Sequence, residues 1–178
     1  MSTNSSRVNP QPGDFAAVPM HGAFGKLVEF GEWLNGTGFD RYQHAIVYVG
    51  DGMMVQAEPG GAQLRPLKHY EYSLWSTGLF KLDDMQVAKI VSSAKELVGT
   101  PYSFLDYAAI AAHRLHLPIP GLRGYVSSSE HMICSQLVDY CYQAAGIQLF
   151  PDGRWNGYVT PADLAKLIVA RGGLASSG

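Results

Sequence analysis

The run HAIVYVGDGMMVQAE, residues 44–58, holds two β-rich apolar segments around Gly50-Asp51-Gly52. Such segments flanking a Gly-Asp-Gly turn predict a β-hairpin, with strands over Gln43–Val49 and Met53–Ala57. The loop length decides which side chains share a face. A three-residue loop, with Gly52 as the left-handed bulge residue, sets residues 44, 46, 48 and 54, 56, 58 on one side. Glu58 then lies opposite His44, and Gln56 is its diagonal neighbour within side-chain reach. A two-residue loop sends both to the other face.

Outward from the hairpin, Pro59-Gly60-Gly61 ends the second strand, and Gln63–Leu67 is a candidate for a further one. Pro12-Gly13-Asp14 turns the chain into Phe15–Val18, and Leu79–Leu82 is another short strand candidate. Phe24, Leu27, Val28 and Leu34 recur at helical spacing within His21–Leu34, which closes on Asn35-Gly36. Asp83 or Asp84 can cap a helix whose apolar face is Val87, Ile90, Val91, Ala94, Leu97 and Val98, stopped at Gly99. Ser103 with Asp106 makes a capping box for a helix through Leu115, ended by Pro118 and Pro120. Ile133–Ala145 carries one apolar stripe with Gly146 just beyond it, and Thr160-Pro161-Ala162-Asp163 opens a last helix reaching Gly172. Strands cluster early and helices mostly late, which predicts an α+β domain with helices packed on a small antiparallel sheet.

The 178 residues are 47% apolar and 16% charged, enough for one domain with a real core. Residues 1–11 read as a flexible lead-in, 12–173 as the folded domain and 174–178 as a tail. The net charge of -2, with no basic block, excludes a protein that grips nucleic-acid phosphates. No apolar run approaches the roughly 18 residues of a membrane span. Met1–Pro12 is rich in Ser, Asn, Gln and Pro and does not read as a signal peptide. The expectation is a cytoplasmic protein, or one delivered to a cell wall by a phage-type route. Zinc wants four ligands at recurring spacings, and the His131/Cys134 and His113/His116 pairs each lack a complementary second pair, so no metal site is expected. Ala108–Ile119 reads as a core helix in preference to one facing a lipid or partner. Trp75, Trp155 and Tyr158 read as aromatic loop packing that could line a cleft.

Two cysteines remain to be explained. Cys134 and Cys141 lie seven apart in one helical segment, so they cannot bond to each other without breaking it. Cys134 falls in the first turn, where the positive end of the helix dipole and unpaired backbone N–H groups favour thiolate. The same N–H groups can receive a developing oxyanion. The competing reading of Cys134 is a small buried hydrophobe, and Cys141 reads as core. His44 opens its strand at the rim of the sheet, where a base for a thiol nucleophile would sit. Gln56 or Glu58 would orient it.

Three blocks together resemble the NlpC-type papain-like cysteine hydrolases: GTPY at 99–102, ICSQLV at 133–138 and HAIVYVGDGMMVQAEPGG at 44–61. The histidine strand precedes the cysteine block, which resembles the circularly permuted, YiiX-like branch of that family. Members of the branch also begin with a Pro-Gly-Asp-type segment, here Pro12–Asp14. The resemblance spans roughly residues 12–170. It implies a papain-like fold with Cys134 as nucleophile, His44 as general base and Gln56 at the third position, where the family carries a glutamate. A glutamine can hold the imidazole by a neutral hydrogen bond but stabilises imidazolium less than a carboxylate does. The resemblance also puts Tyr102 near the nucleophile as a donor to substrate or oxyanion, against a plain reading as a core aromatic.

The implied reaction needs no cofactor: a thioester forms on Cys134 and water then cleaves it. The implied substrate is a stem-peptide amide of a peptidoglycan fragment. A lipid-linked amide or ester stays open, because related folds include acyltransferases of the lecithin retinol type. A non-catalytic binding or structural module on the same fold also stays open, because Gln56 replaces the glutamate.

Overall fold

The computed structural model describes residues 8–19, 41–58, 61–67, 72–101, 133–153 and 159–173. Within them the chain forms strands β1 (Phe15–Val18), β2 (His44–Gly50), β3 (Met53–Glu58), β4 (Gly61–Pro66) and β5 (Leu74–Trp75). Helices α1 (Asp84–Glu96), α2 (Cys134–Ala144) and α3 (Pro161–Ala170) follow. The helices expected over His21–Leu34 and Ser103–Leu115 lie outside the described residues, as do Tyr102, Trp155 and Tyr158.

The strands make one antiparallel sheet in the order β4-β3-β2-β1-β5. Alternation along each strand divides its side chains between two faces. Phe15, Ala17, Ala45, Val47, Val55 and Ala57 meet Ile90, Ala94, Leu137, Val138, Leu164 and Ile168 of the three helices. Ala16, Val18, Ile46, Met54 and Trp75 form a smaller apolar cluster on the opposite face. This is the α+β arrangement the sequence predicts, with the three described helices on one side of the sheet. No described helix is long and apolar enough to cross a membrane.

The hairpin corrects one detail and keeps its consequence. Asp51 and Gly52 both have positive φ, 51° and 67°, as a two-residue turn requires between the paired Gly50 and Met53. The extra residue is taken up before the turn and not at Gly52: the β2–β3 register shifts between Tyr48 and Gly50, where Gly50 has φ 90°. The shift restores parity, so Ile46 pairs with Gln56 and Tyr48 with Met54. Gln56 is therefore diagonal to His44, as the three-residue loop predicted.

Strand β4 starts at Gly61, earlier than the expected Gln63, because its first residues are clamped from outside the hairpin. Ala62 N–H donates to Thr100 O and Gly99 N–H to Ala62 O, both at 2.8 Å. A Cβ at Gly61, whose φ is +107°, would stand 2.8 Å from Thr100 O. Gly61→Ala is accordingly expected to cost about 1–3 kcal/mol through backbone strain and the lost close approach. A shifted urea midpoint with unchanged slope would register it, and an unshifted midpoint would contradict it.

Leu79–Leu82 is not a strand. Leu79 N–H closes a turn onto Ser76 O, Gly78 takes φ 74°, and Leu79, Phe80 and Leu82 pack against the core from there. The fifth strand is instead Leu74–Trp75, paired with Ala16 and Ala17. Trp75 is thus a buried strand residue whose Nε1 donates to Ser73 Oγ at 3.0 Å.

Two of the helices start with reciprocal caps. Asp83 and Gln86 exchange backbone-to-side-chain bonds at 2.8 and 3.1 Å at the head of α1. Thr160 and Asp163 do the same at 2.9 and 3.2 Å for α3, with Pro161 as its first residue. Tyr142 secures the far end of α2. Its ring lies 5.3 Å from Phe15 and 5.4 Å from Phe80, and its hydroxyl donates to Gly13 O at 3.0 Å. Gly13 N–H donates in turn to Tyr48 O at 2.9 Å, near the turn end of β2. Asp14 braces the Pro12–Asp14 segment, its carboxylate accepting from Gln11 N–H and Thr77 Oγ1 at 2.7 Å each. Burial raises the Asp14 pKa, and those bonds partly offset the rise.

Candidate active site

His44 is the first residue of β2 and Gln56 the fourth of β3, and both are closed to solvent, at 2% and 1% exposure. Their side chains meet: His44 Nε2 lies 3.0 Å from Gln56 Oε1. An amide oxygen only accepts, so this bond puts a ring proton on Nε2 and, in the neutral ring, leaves the lone pair on Nδ1. That is the tautomer a general base needs if Nδ1 faces its partner. Of the two candidate orienters, the ring bond goes to Gln56, while Glu58 pairs with Gly61 at the open end of the β3–β4 ladder.

Cys134 is the first residue of α2 and 2% exposed. Its helix starts differently from the other two. Ile133 holds the N-cap with φ -97° and ψ 162° and has no side-chain oxygen, so it cannot take a first-turn N–H group. Gln136 Oε1 folds back onto Ile133 N–H at 3.0 Å, and Ser135 Oγ donates to Val159 O at 2.7 Å. These two bonds fix the start of α2.

Cys141 behaves as the sequence implies. It is fully buried, and burial, with the Glu96 charge adding to it, pushes its pKa up to about 12. It is a core thiol.

The His44–Gln56 pair lies on the face of Ile46 and Met54, whereas Cys134 belongs to the apolar cluster under the helices. Tyr102 lies outside the described residues, but Thr100, two positions before it, is bonded to Ala62 at the His44 end of the sheet. Among the described residues no group of three or more His, Cys, Asp or Glu is placed to hold a metal ion.

One polar neighbour escapes a reading of the sequence. Gln63 stands directly opposite Gln56 in the β3–β4 register, on the His44 side of the sheet. Its place opposite Gln56 follows from the β3–β4 register, which also pairs Ala57 with Ala62 and Glu58 with Gly61. No protein-family model matches the chain, and no curated protein matches it in sequence.

Proposed function

We propose that the protein is a papain-like cysteine hydrolase of the permuted NlpC type that cleaves an amide bond, with peptidoglycan stem peptides as its substrate class. The observation that carries this reading is the buried bond from His44 Nε2 to Gln56 Oε1, which holds an imidazole in the base-ready tautomer. Helix direction supports the pairing with Cys134. Tyr142 ties one end of α2 to the Tyr48 end of β2, and eight residues at about 1.5 Å each run back about 12 Å. The four residues from Tyr48 back to His44 span about 14 Å at about 3.4 Å each. On this reading thiol and imidazole must approach each other beyond the end of the sheet, around the start of β2, because Cys134 and the His44–Gln56 pair belong to opposite faces.

In this mechanism the Cys134 thiolate attacks the amide carbonyl carbon, and the oxygen takes up the negative charge among the first-turn N–H groups of α2. The tetrahedral intermediate collapses to a thioester as the amine leaves with a proton from His44. His44 then takes a proton from water, the hydroxide attacks the thioester, and a carboxylic acid leaves with the thiol restored. Gln56 orients the ring without adding charge, so the positive end of α2 carries more of the thiolate stabilisation than it does beside a carboxylate. Gln56 in the place of a carboxylate is also what favours the second reading, a binding module with a silent site.

Alkylation separates the two. A thiol of pKa about 12 is ionised in only about one molecule in 10⁵ at neutral pH, so Cys141 is expected to resist iodoacetamide. Cys134 is expected to react at least about a hundredfold faster, and His44→Ala to erase the difference. Both thiols are nearly closed to solvent, so the contrast reports ionisation more than access. Equal, slow labelling of both would leave the silent module as the better account.

A further inference from the structure

Gln63 carries a buried side-chain oxygen, Oε1, that accepts no hydrogen bond among the described residues. A buried acceptor without a donor is unfavourable and rare in folded proteins. Residue 63 pairs with Gln56, and directly opposed residues in an antiparallel ladder have Cβ atoms about 4.5–5.5 Å apart. Glutamine side chains at that spacing are within reach of each other. We propose that Gln63 is a positioning residue for His44: its Oε1 draws the NH₂ group of Gln56 and so fixes which end of that amide faces the imidazole.

The choice of end matters because an amide has two chemically different ends. With Oε1 toward the ring, neutral His44 carries its proton on Nε2 and keeps a lone pair on Nδ1. With the amide turned over, the NH₂ group donates to Nε2, the proton moves to Nδ1, and the nitrogen that must take the Cys134 proton is blocked. A carboxylate at position 56 would present two equivalent oxygens and need no such selection. The backbone of Gln63 is well fixed for the task. Its register with β3 is unbroken from Met53–Pro66 to Glu58–Gly61, and the neighbouring Ala62 is clamped by Gly99 and Thr100.

This inference rests on the reading of His44 as the base, but it has a readout that needs no catalysis. In the full chain labelled with ¹⁵N-histidine, His44 is identified as the signal missing from His44→Ala, and its ring shifts report the tautomer above neutral pH. The wild type is expected to show the Nε2–H form. Gln63→Leu is expected to convert at least about a tenth of the population to Nδ1–H, while Gln63→Glu, whose oxygens can only accept, keeps the wild-type form. Gln63→Met serves in the same way if the leucine variant does not fold. An unchanged tautomer in a folded Gln63→Leu or Gln63→Met overturns the proposal, as does a wild type that is not Nε2–H. A tautomer that depends on Gln63 in a protein that cleaves nothing would sink the hydrolase reading and leave the positioning role standing. In an active protein, Gln63→Leu is expected to lower kcat about tenfold with KM little changed and Gln63→Glu to restore it.

Discussion

Cys134→Ala is expected to bring release of amine from peptidoglycan fragments down to the uncatalysed background, a loss of at least about a thousandfold. The size follows from what is removed. Without Sγ no thioester can form, and the chain's other thiol is buried and held near pKa 12, so it cannot take over. His44→Ala removes only the proton carrier and is expected to cost about 10²–10⁴-fold. Running fatty acyl esters and amides in parallel tells which carbonyl the site accepts. The substrate whose turnover disappears in Cys134→Ala is the right one, and a wild type that fails on both overturns the hydrolase reading. A mass increase of one acyl group on wild-type protein, absent in Cys134→Ala, would catch the thioester directly. Circular dichroism of both variants guards against loss of fold, since deleting one small buried sulfhydryl removes little packing.

Tyr142→Ala is expected to produce the largest loss of stability among single substitutions in the described core. The ring is fully buried between Phe15 and Phe80, and truncating such an aromatic costs about 3–5 kcal/mol. Against a total of about 5–15 kcal/mol that is a large fraction. At about 2–4 °C per kcal/mol for a chain of this size, Tm should fall by roughly 6–20 °C. Tyr142→Phe keeps both ring contacts and loses the hydroxyl's bonds to Gly13 O and Ser76, so it should cost about 1–2 kcal/mol. Thermal melts of the pair separate packing from hydrogen bonding. If the two variants melt together, Tyr142 is not the pin that joins α2 to the Pro12–Asp14 segment.

What could be read in advance was local. The caps of α1 and α3 use side chains three residues apart, so Asp83 with Gln86 and Thr160 with Asp163 announce their helices without tertiary help. The pairing of His44 with Gln56 was legible through strand parity, because one choice of loop brings them to a common face. The place of the bulge was not. Gly50 and Gly52 can both take positive φ, so nothing local prefers one of them, and the pairing of Tyr48 with Met54 decides. Strand β5 was hidden because two residues show no alternation; Leu74 and Trp75 are strand only because Ala16 and Ala17 pair with them. Gln63 was hidden for a related reason, since its place opposite Gln56 comes from the β3–β4 register.

The sheet order β4-β3-β2-β1-β5 makes the earliest strand an interior one, flanked by β2 and β5. The meander from β2 to β4 can assemble from neighbouring residues, but β1 has one open edge until Leu74 and Trp75 exist to cover it. On the ribosome, synthesis at about 5–20 residues per second leaves that edge open for roughly 3–11 seconds after Val18 is made. During that interval Phe-Ala-Ala-Val is an apolar strand with unsatisfied backbone groups, the kind of segment that holding chaperones bind and that other nascent chains can pair with. Yield in a cell should therefore respond to translation speed between residues 19 and 75.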